Sequence, residues 1–302
     1  KKQGGIYMKI NEIFENKDLV FSFEIFPPKT TSSVKTIYNT LEELKDLKPD
    51  FISVTYGAGG SLVNNRTIEL SSLVKEKYGV EAVAHLTCIN STKKEIDYIL
   101  DNLKSKGIEN VLALRGDIPE GQTLRGDFKY AYELISHIKE RGYFNIAAAC
   151  YPEGYVRGRD LKEDLMHLKL KEESGASHFI SQLFFDNNYF YNFLEEKDKL
   201  NIKSSIEAGI MPVTNKAQIE RITSLCSATL PEKFVKIVNK YEHEKEALRD
   251  AGIAYAVEQI VDLVSSGVQG IHLYTMNNPY VARKITESID SIRNSINKKR
   301  VV

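Results

Sequence analysis

Eight strand-length apolar runs, each separated from the next by a helical pattern, restrict this 302-residue chain more than any other feature. The runs are LVFSFEIF (19–26), FISVTYG (51–57), EAVAHLTC (81–88), NVLALRG (110–116), NIAAACYP (145–152), HFISQLFF (178–185), IEAGIMPV (206–213) and GIHLYTM (270–276). Each is rich in β-branched or aromatic residues and is closed by Gly, Pro, Asp or Asn, which interrupt a ladder. Helical patterns lie at 36–47, 62–76, 93–104, 129–140, 161–174, 189–197, 216–225, 243–264 and 282–296. Alternation at this rhythm predicts parallel βαβ units, and eight of them predict closure into a (β/α)8 TIM barrel of the α/β class. The longer stretch between the seventh and eighth runs predicts extra helices there. With no compositional break or linker, residues 8–302 read as a single barrel domain, and KKQGGIY (1–7) as a leader outside the fold.

Strand alternation makes a statement about faces. In the first run Leu19, Phe21, Phe23 and Ile25 share one side, and Val20, Ser22, Glu24 and Phe26 the other. The polar set should face the lumen, with Ser53 and Thr55 from the second run and His85 and Thr87 from the third. Chemistry on such barrels sits at the C-terminal strand ends, where Glu24, Thr55, His85, Asp117, Tyr151, Gln182 and Tyr274 should converge.

Composition limits the partners. Lys plus Arg equals Asp plus Glu at 41 each, which favours neither nucleic acid nor an anionic membrane and points to a small molecule or another protein. No run approaches the roughly 20 apolar residues of a bilayer span. Cys88, Cys150 and Cys226 are far apart and form no CxxC, which suits reduced thiols in a cytoplasmic protein.

Glu24 in FSFEIFPPKT sits among Phe21, Phe23, Ile25 and Phe26 ahead of Pro27 and Pro28. A carboxyl kept dry by such neighbours suits a general acid; the alternative is a buried carboxylate paired with Arg115 or a lysine. TYGAGGS offers Gly57, Gly59 and Gly60 at a helix start, as an anion cradle or as a plain turn. In LALRGDIPEG, Gly116 permits close approach to a ligand and Asp117 could face a polar heterocycle, or Arg115 and Asp117 simply pair. His85, Cys88, Cys150 and His272 near strand ends raise a metal-dependent hydrolase or lyase, without an HExxH or CxxC to support it.

Nine segments in order, FSFEIFPPKT, FISVTYGAGGS, AHLTCI, NVLALRGDIP, AACYPE, DLMHLKLKEESGA, ISQLFFD, AGIMPV and IHLYTMN, make the chain resemble the methylenetetrahydrofolate reductases from about residue 13 to 285. The resemblance implies an FAD-bearing barrel that reduces methylenetetrahydrofolate to methyltetrahydrofolate by a ping-pong route with NADH or NADPH, within one-carbon metabolism and methionine biosynthesis. It also implies the short form without a regulatory domain, and leaves open a homo-oligomer. Carried over by position, Glu24 matches the general acid, Asp117 the aspartate near flavin and pterin, and Gln182 a folate contact, with Tyr274 on the substrate side. Thr55, His85, Leu114, Arg115, Gly116, Asp117, Tyr130, Ala131, Tyr151, Asp164 and Lys171 fall where the family contacts FAD. The chain departs from well-known bacterial members at Gly154, Tyr155 and Val156, where those carry Val-His-Pro, and at Asn278, where they carry arginine. A folate- or flavin-binding subunit that needs an electron-transfer partner is the remaining rival.

Overall fold

A computed structural model describes residues 8–27, 34–56, 61–117, 126–155, 161–226 and 228–298. Its eight strands are β1 Val20–Ile25, β2 Phe51–Val54, β3 Glu81–Thr87, β4 Asn110–Leu114, β5 Asn145–Cys150, β6 His178–Ser181, β7 Ser205–Ile210 and β8 Gly270–Tyr274. All pair in parallel and in sequence order, and β8 returns to β1, closing the barrel. The helices are α1 Ile10–Asn16, α2 Val34–Lys45, α3 Ser61–Glu76, α4 Lys93–Ser105, α5 Ala131–Glu140, α6 Leu161–Ser174, α7 Asn187–Lys199, α8 Lys216–Cys226, α9 Glu232–Tyr241, α10 Lys245–Ser265 and α11 Pro279–Asn297. Helices α8, α9 and α10 all lie between β7 and β8, as the length of that stretch predicts. Among the described residues no helix is long and apolar enough to cross a membrane.

The helix α4 shows how local sequence sets an element. Ile96, Ile99, Leu100 and Leu103 are buried at a spacing that makes one stripe. Thr92 Oγ1 accepts from the Glu95 amide and the Glu95 carboxylate accepts from the Thr92 amide, so the first turn leaves fewer bare donors. Gly107, at φ +68°, lets the chain turn back toward β4 just past the C-cap.

Two apolar layers follow from strand parity. Leu19, Phe21, Phe23 and Ile25 of the first run join Leu41, Leu44, Leu100, Leu134 and Ile285 in the large core between strands and helices. Facing the other way, Val20, Phe51, Val83, Leu112, Ala147 and Ile180 fill the lumen and pack with Ile10 and Ile13 of α1. Helix α1 is absent from the sequence expectation and plugs the N-terminal end of the barrel. Its Ile10 amide donates to Asn110 Oδ1 at 3.0 Å, Asn110 Nδ2 donates to Glu81 Oε1 at 3.0 Å, and Lys75 Nζ reaches the same oxygen at 3.0 Å. Burial raises the Glu81 pKa, and Lys75 works against that rise.

Candidate active site

Glu24 is the next-to-last residue of β1 and points into the lumen. Among the described residues it is not paired with a lysine or arginine: its Oε2 lies 3.5 Å from His85 Nε2 on β3 and 3.6 Å from His272 Nε2 on β8. The expectation that phenylalanines keep it dry fails on parity, because Phe21 and Phe23 point outward into the helix layer. Its surroundings are instead two imidazoles, with Tyr274 its register partner on β8, and its side chain is 21% exposed at the open end. The carboxylate is therefore both supported from below and accessible from above.

Beneath it runs a polar column. His272 is fully buried; its Nδ1 is 2.6 Å from Ser22 Oγ, its Nε2 is 3.4 Å from Ser53 Oγ, and its ring lies edge-on to Tyr274. Ser22 Oγ donates to Glu207 Oε1 at 2.7 Å. Burial pushes His85 down to about 4, with His272 adding to that and Glu24 opposing it. Burial likewise takes the neighbouring His178 down to about 3, so both rings are neutral near pH 7. The same cause pushes Glu207 up to about 7, against the pull of His272 and Ser22.

The backbone around Glu24 is held from β8. Thr275 Oγ1 donates to the Glu24 carbonyl at 2.6 Å, Asn277 Nδ2 donates to the Phe26 carbonyl at 2.9 Å, and the Phe26 amide donates to Asn277 Oδ1 at 3.0 Å. Met276 and Asn277 both have left-handed backbones, at φ +51° and +53°, so the chain leaves the sheet here while side chains continue its ladder. Tyr274 Oη donates to the Ser181 carbonyl at 2.7 Å, and burial puts its pKa well above the usual tyrosine value. Gly209 makes room for that ring, since a Cβ there would lie 2.8 Å from Tyr274 Cε2.

The remaining expected residues follow the C-terminal ends of β2, β4 and β6. Gln182 follows directly on β6, its amide donating to the Cys150 carbonyl at 2.8 Å, and its Oε1 accepts from the Leu183 amide. Thr55 follows β2, with its amide on the Ile25 carbonyl at 3.0 Å. Leu114 ends β4, and Arg115, Gly116 and Asp117 follow it. No ion pair joins Arg115 to Asp117 among the described residues: Arg115 Nε donates to the Lys129 carbonyl at 3.1 Å, while Asp117 is exposed and acts electrostatically on Tyr151 and Cys226. Gly116 sits at φ +85° with Thr87 and Ile89 so close that a Cβ would collide. Gly57, Gly59, Gly60, Pro28 and Val156 lie outside the described residues.

Lys171 on α6 donates to the Ala149 carbonyl at 2.8 Å, rests over the Tyr151 ring, and is pushed by burial down to about 8. Asp164 accepts from the Tyr155 amide at 2.6 Å, and Tyr155 sets its ring edge-on to Tyr151 at 4.9 Å. Tyr130 precedes Ala131, the buried first residue of α5, and stacks with Tyr132 at 5.3 Å and His167 at 5.5 Å. A half-buried cation, an aromatic ledge and a glycine that cannot carry a side chain form a donor set that fits the pyrophosphate and flat rings of FAD. Asn278 is the N-cap of α11, accepting from the Val281 amide, so the position carries a helix cap and no cation.

Cys88 and Cys150 face outward into the helix-side core, which removes both from the ligand set that a metal reading needs. Glu207, Thr275 and Asn277 were missed by sequence reasoning. Parity would have found Glu207, two residues from Gly209 on the lumen face; nothing in TMNN signals the two-way amide clamp.

A family model, methylenetetrahydrofolate reductase, matches residues 9–290. Methylenetetrahydrofolate reductase (NADH) 1 of Arabidopsis thaliana is 34% identical over 284 residues, covering 89% of this chain and 48% of its own length. The 5,10-methylenetetrahydrofolate reductase of Escherichia coli (strain K12) is 32% identical over 268 residues, covering 89% of this chain and 90% of its own. This chain thus spans about half the length of the plant relatives and nine tenths of the bacterial ones. A solved structure of an uncharacterised protein from Clostridium thermocellum that binds two copies of 5-methyl-5,6,7,8-tetrahydrofolic acid shares the barrel, with a TM-score of 0.65 at 11% identity, covering 95% of this chain and 100% of that one. By the family match and these relatives, the chain belongs to the methylenetetrahydrofolate reductase family.

Proposed function

We propose that this chain reduces 5,10-methylenetetrahydrofolate to 5-methyltetrahydrofolate with hydride from NADH or NADPH, through FAD in a ping-pong cycle. The observation that carries the reading is Glu24, an accessible carboxyl at the lumen mouth within 3.6 Å of two histidine nitrogens. FAD, when bound, supplies the hydride chemistry between nicotinamide and folate. Glu24 delivers a proton to the folate nitrogen that leaves as the five-membered ring opens, and the bridging methylene becomes an iminium carbon that accepts hydride. One proton and one hydride account for the added methyl hydrogen and the N–H.

Asp117, exposed beside the mouth, anchors the amino and amide edge of the pterin and places a negative charge near the flavin. Gln182 offers its NH2 to the folate, and Tyr274 walls the substrate side. Lys171 and Arg115 serve the FAD phosphates or ribose, Asp164 and Tyr151 the ribityl side, and Thr55, His85, Leu114, Gly116, Tyr130 and Ala131 complete the contact surface. The name of the plant relative supports NADH as donor. Three free thiols, two of them buried, support a reducing cytoplasmic setting. Purified protein supplied with FAD should be yellow, and anaerobic NADH or NADPH should bleach it, with colour restored by methylenetetrahydrofolate. Colourless zinc protein overturns the reading in favour of a hydrolase or lyase. Flavin that neither nucleotide reduces overturns it in favour of a subunit that needs an electron-transfer partner.

A further inference from the structure

The polar column under Glu24 ends in a carboxyl that the reaction above leaves unused. Glu207 on β7 is fully buried; its Oε1 accepts from Ser22, and its Oε2 has no hydrogen-bond partner among the described residues. Gly270 makes the space, since a Cβ there would lie 2.5 Å from Glu207 Cγ. A carboxyl at this depth needs a reason, because burying one without full pairing is costly.

We propose that Glu207 is a positioning residue: by taking the Ser22 hydroxyl proton it fixes which nitrogen of His272 is protonated, and so keeps the proton on Glu24. The inference rests on Glu24 acting as the acid. Ser22 has one hydroxyl proton and two neighbours, Glu207 Oε1 at 2.7 Å and His272 Nδ1 at 2.6 Å. Spent on His272, it would leave both Glu207 oxygens bare in the interior. Spent on Glu207, it leaves the Ser22 oxygen accepting from an Nδ1–H of His272. Above about pH 7 the Glu207 carboxyl is ionised and can only accept.

With a single ring proton, on Nδ1, His272 would present a bare Nε2 to Glu24 Oε2, 3.6 Å away. A bare nitrogen facing a carboxylate is two acceptors in opposition, and a proton on Glu24 resolves it. The charged and titratable groups around the column are consistent in sign. Asp50 also raises Glu207; His85 stays neutral with its Nε2 3.5 Å from the same Glu24 oxygen, and His178 stays neutral as well. Tyr274, edge-on to His272, is held un-ionised, and the Phe51 ring stacks on the imidazole at 6.2 Å. Ser53 Oγ lies 3.4 Å from the same Nε2, a longer contact than the 2.6 Å one that Ser22 makes on Nδ1.

Nitrogen NMR of the FAD-loaded chain labelled in histidine, with the His272 signal assigned by its loss in His272→Asn, should show neutral His272 protonated on Nδ1. In Glu207→Leu the freed Ser22 proton should turn to Nδ1 and move the imidazole proton to Nε2. Stopped-flow pH profiles of the folate half-reaction should then show the alkaline limb of Glu207→Leu at least one pH unit lower, a roughly tenfold loss on that limb recovered in acid, with flavin reduction by NADH as internal control. Wild-type His272 protonated on Nε2 overturns the proposal without any variant. A Leu variant with unchanged tautomer and unchanged alkaline limb overturns it as well. If the wild-type chain reduces no folate, the functional reading falls, and the tautomer measurement still judges the role of Glu207.

Discussion

The floor and the mouth of the lumen are built from the same strands with the same parity, yet they are held in opposite ways. At the floor, Val20, Phe51, Val83, Leu112, Ala147 and Ile180 meet Ile10 and Ile13 of the plug helix in an apolar cluster, with Asn110, Glu81 and Lys75 bonded at its edge. At the mouth, Glu24, His85, His272, Ser22, Ser53 and Glu207 form a column in which nearly every inward side chain is polar. Packing without direction fixes the floor, and any side chain of similar volume would serve it. Hydrogen-bond polarity fixes the mouth, so replacing one atom there can change chemistry without changing shape.

The largest effect separating the two should come from the floor. Leu112→Ala removes a nearly buried side chain from a lumen that cannot collapse around the loss, and should cost about 2–5 kcal/mol of stability. Urea unfolding measures it, and the folded fraction should keep its rate of flavin reduction. A loss below about 1 kcal/mol would mean that the plug helix shifts to fill the gap, and that the floor is softer than its burial suggests.

At the mouth the counterpart is Glu24→Gln, which keeps volume and removes the transferable proton. The folate half-reaction should slow at least about a hundredfold, the scale of losing a general acid, while reduction of flavin by NADH stays within about twofold. Equal slowing of both halves would reassign Glu24 to flavin binding. Stability should change little, since Glu24 is partly exposed and has no Lys or Arg partner among the described residues.

How far the sequence discloses each region follows from the same contrast. Strand count, closure and the lumen parity of Ser22, Glu24, Ser53 and His85 are legible because alternation of side chains is a local rule. Helix α1 is not, because seven residues with Ile10 and Ile13 as buried positions are too short to show a period. Helix α9 escapes for a related reason: its buried Phe234 and Val238 lie between charged residues in a stretch whose clear helical pattern begins only later. At the mouth, residue types are legible and their relations are not. His272 reads as a candidate metal ligand, and only the closed barrel shows it between Ser22 and Glu24. The error over the phenylalanines has the same origin, since neighbours in sequence on a strand are on opposite faces in space.

Acid should distinguish column from floor next. His85 and His178 are depressed to about 4 and about 3, so the unfolded chain binds protons below about pH 6.5 that the folded chain refuses, and stability falls as pH drops through that range. Glu207, raised to about 7, has the opposite sign: between about 4.5 and 7 the folded chain holds a proton that the unfolded one releases. Removing it as Glu207→Gln should therefore steepen the acid loss by about 1 kcal/mol per pH unit between pH 5 and 6.5. Denaturation curves at several pH values check the slope, and parallel curves for the two proteins would show that Glu207 ionises as freely folded as unfolded. Leu112→Ala should leave that slope unaltered, because it removes no titrating group.

The smallest effect concerns the clamp that holds the mouth's backbone. Asn277 makes two bonds to Phe26 and does so from a left-handed backbone, a conformation that asparagine tolerates better than most residues and glycine best. Asn277→Ala loses both bonds and keeps the strained backbone; Asn277→Gly loses the same bonds and relieves the strain. Ala should therefore cost about 1–2 kcal/mol of stability, and Gly about 1 kcal/mol less. If the clamp matters to Glu24 as well as to folding, both variants should slow the folate half-reaction by a similar few-fold factor despite their different stabilities, because the chain just past Glu24 then loses its two bonds at Phe26 and only Thr275 still ties this stretch. Stopped-flow rates that follow stability instead, with Gly near wild type and Ala slow, would show that the backbone turn positions the acid and that the amide clamp only stabilises the fold.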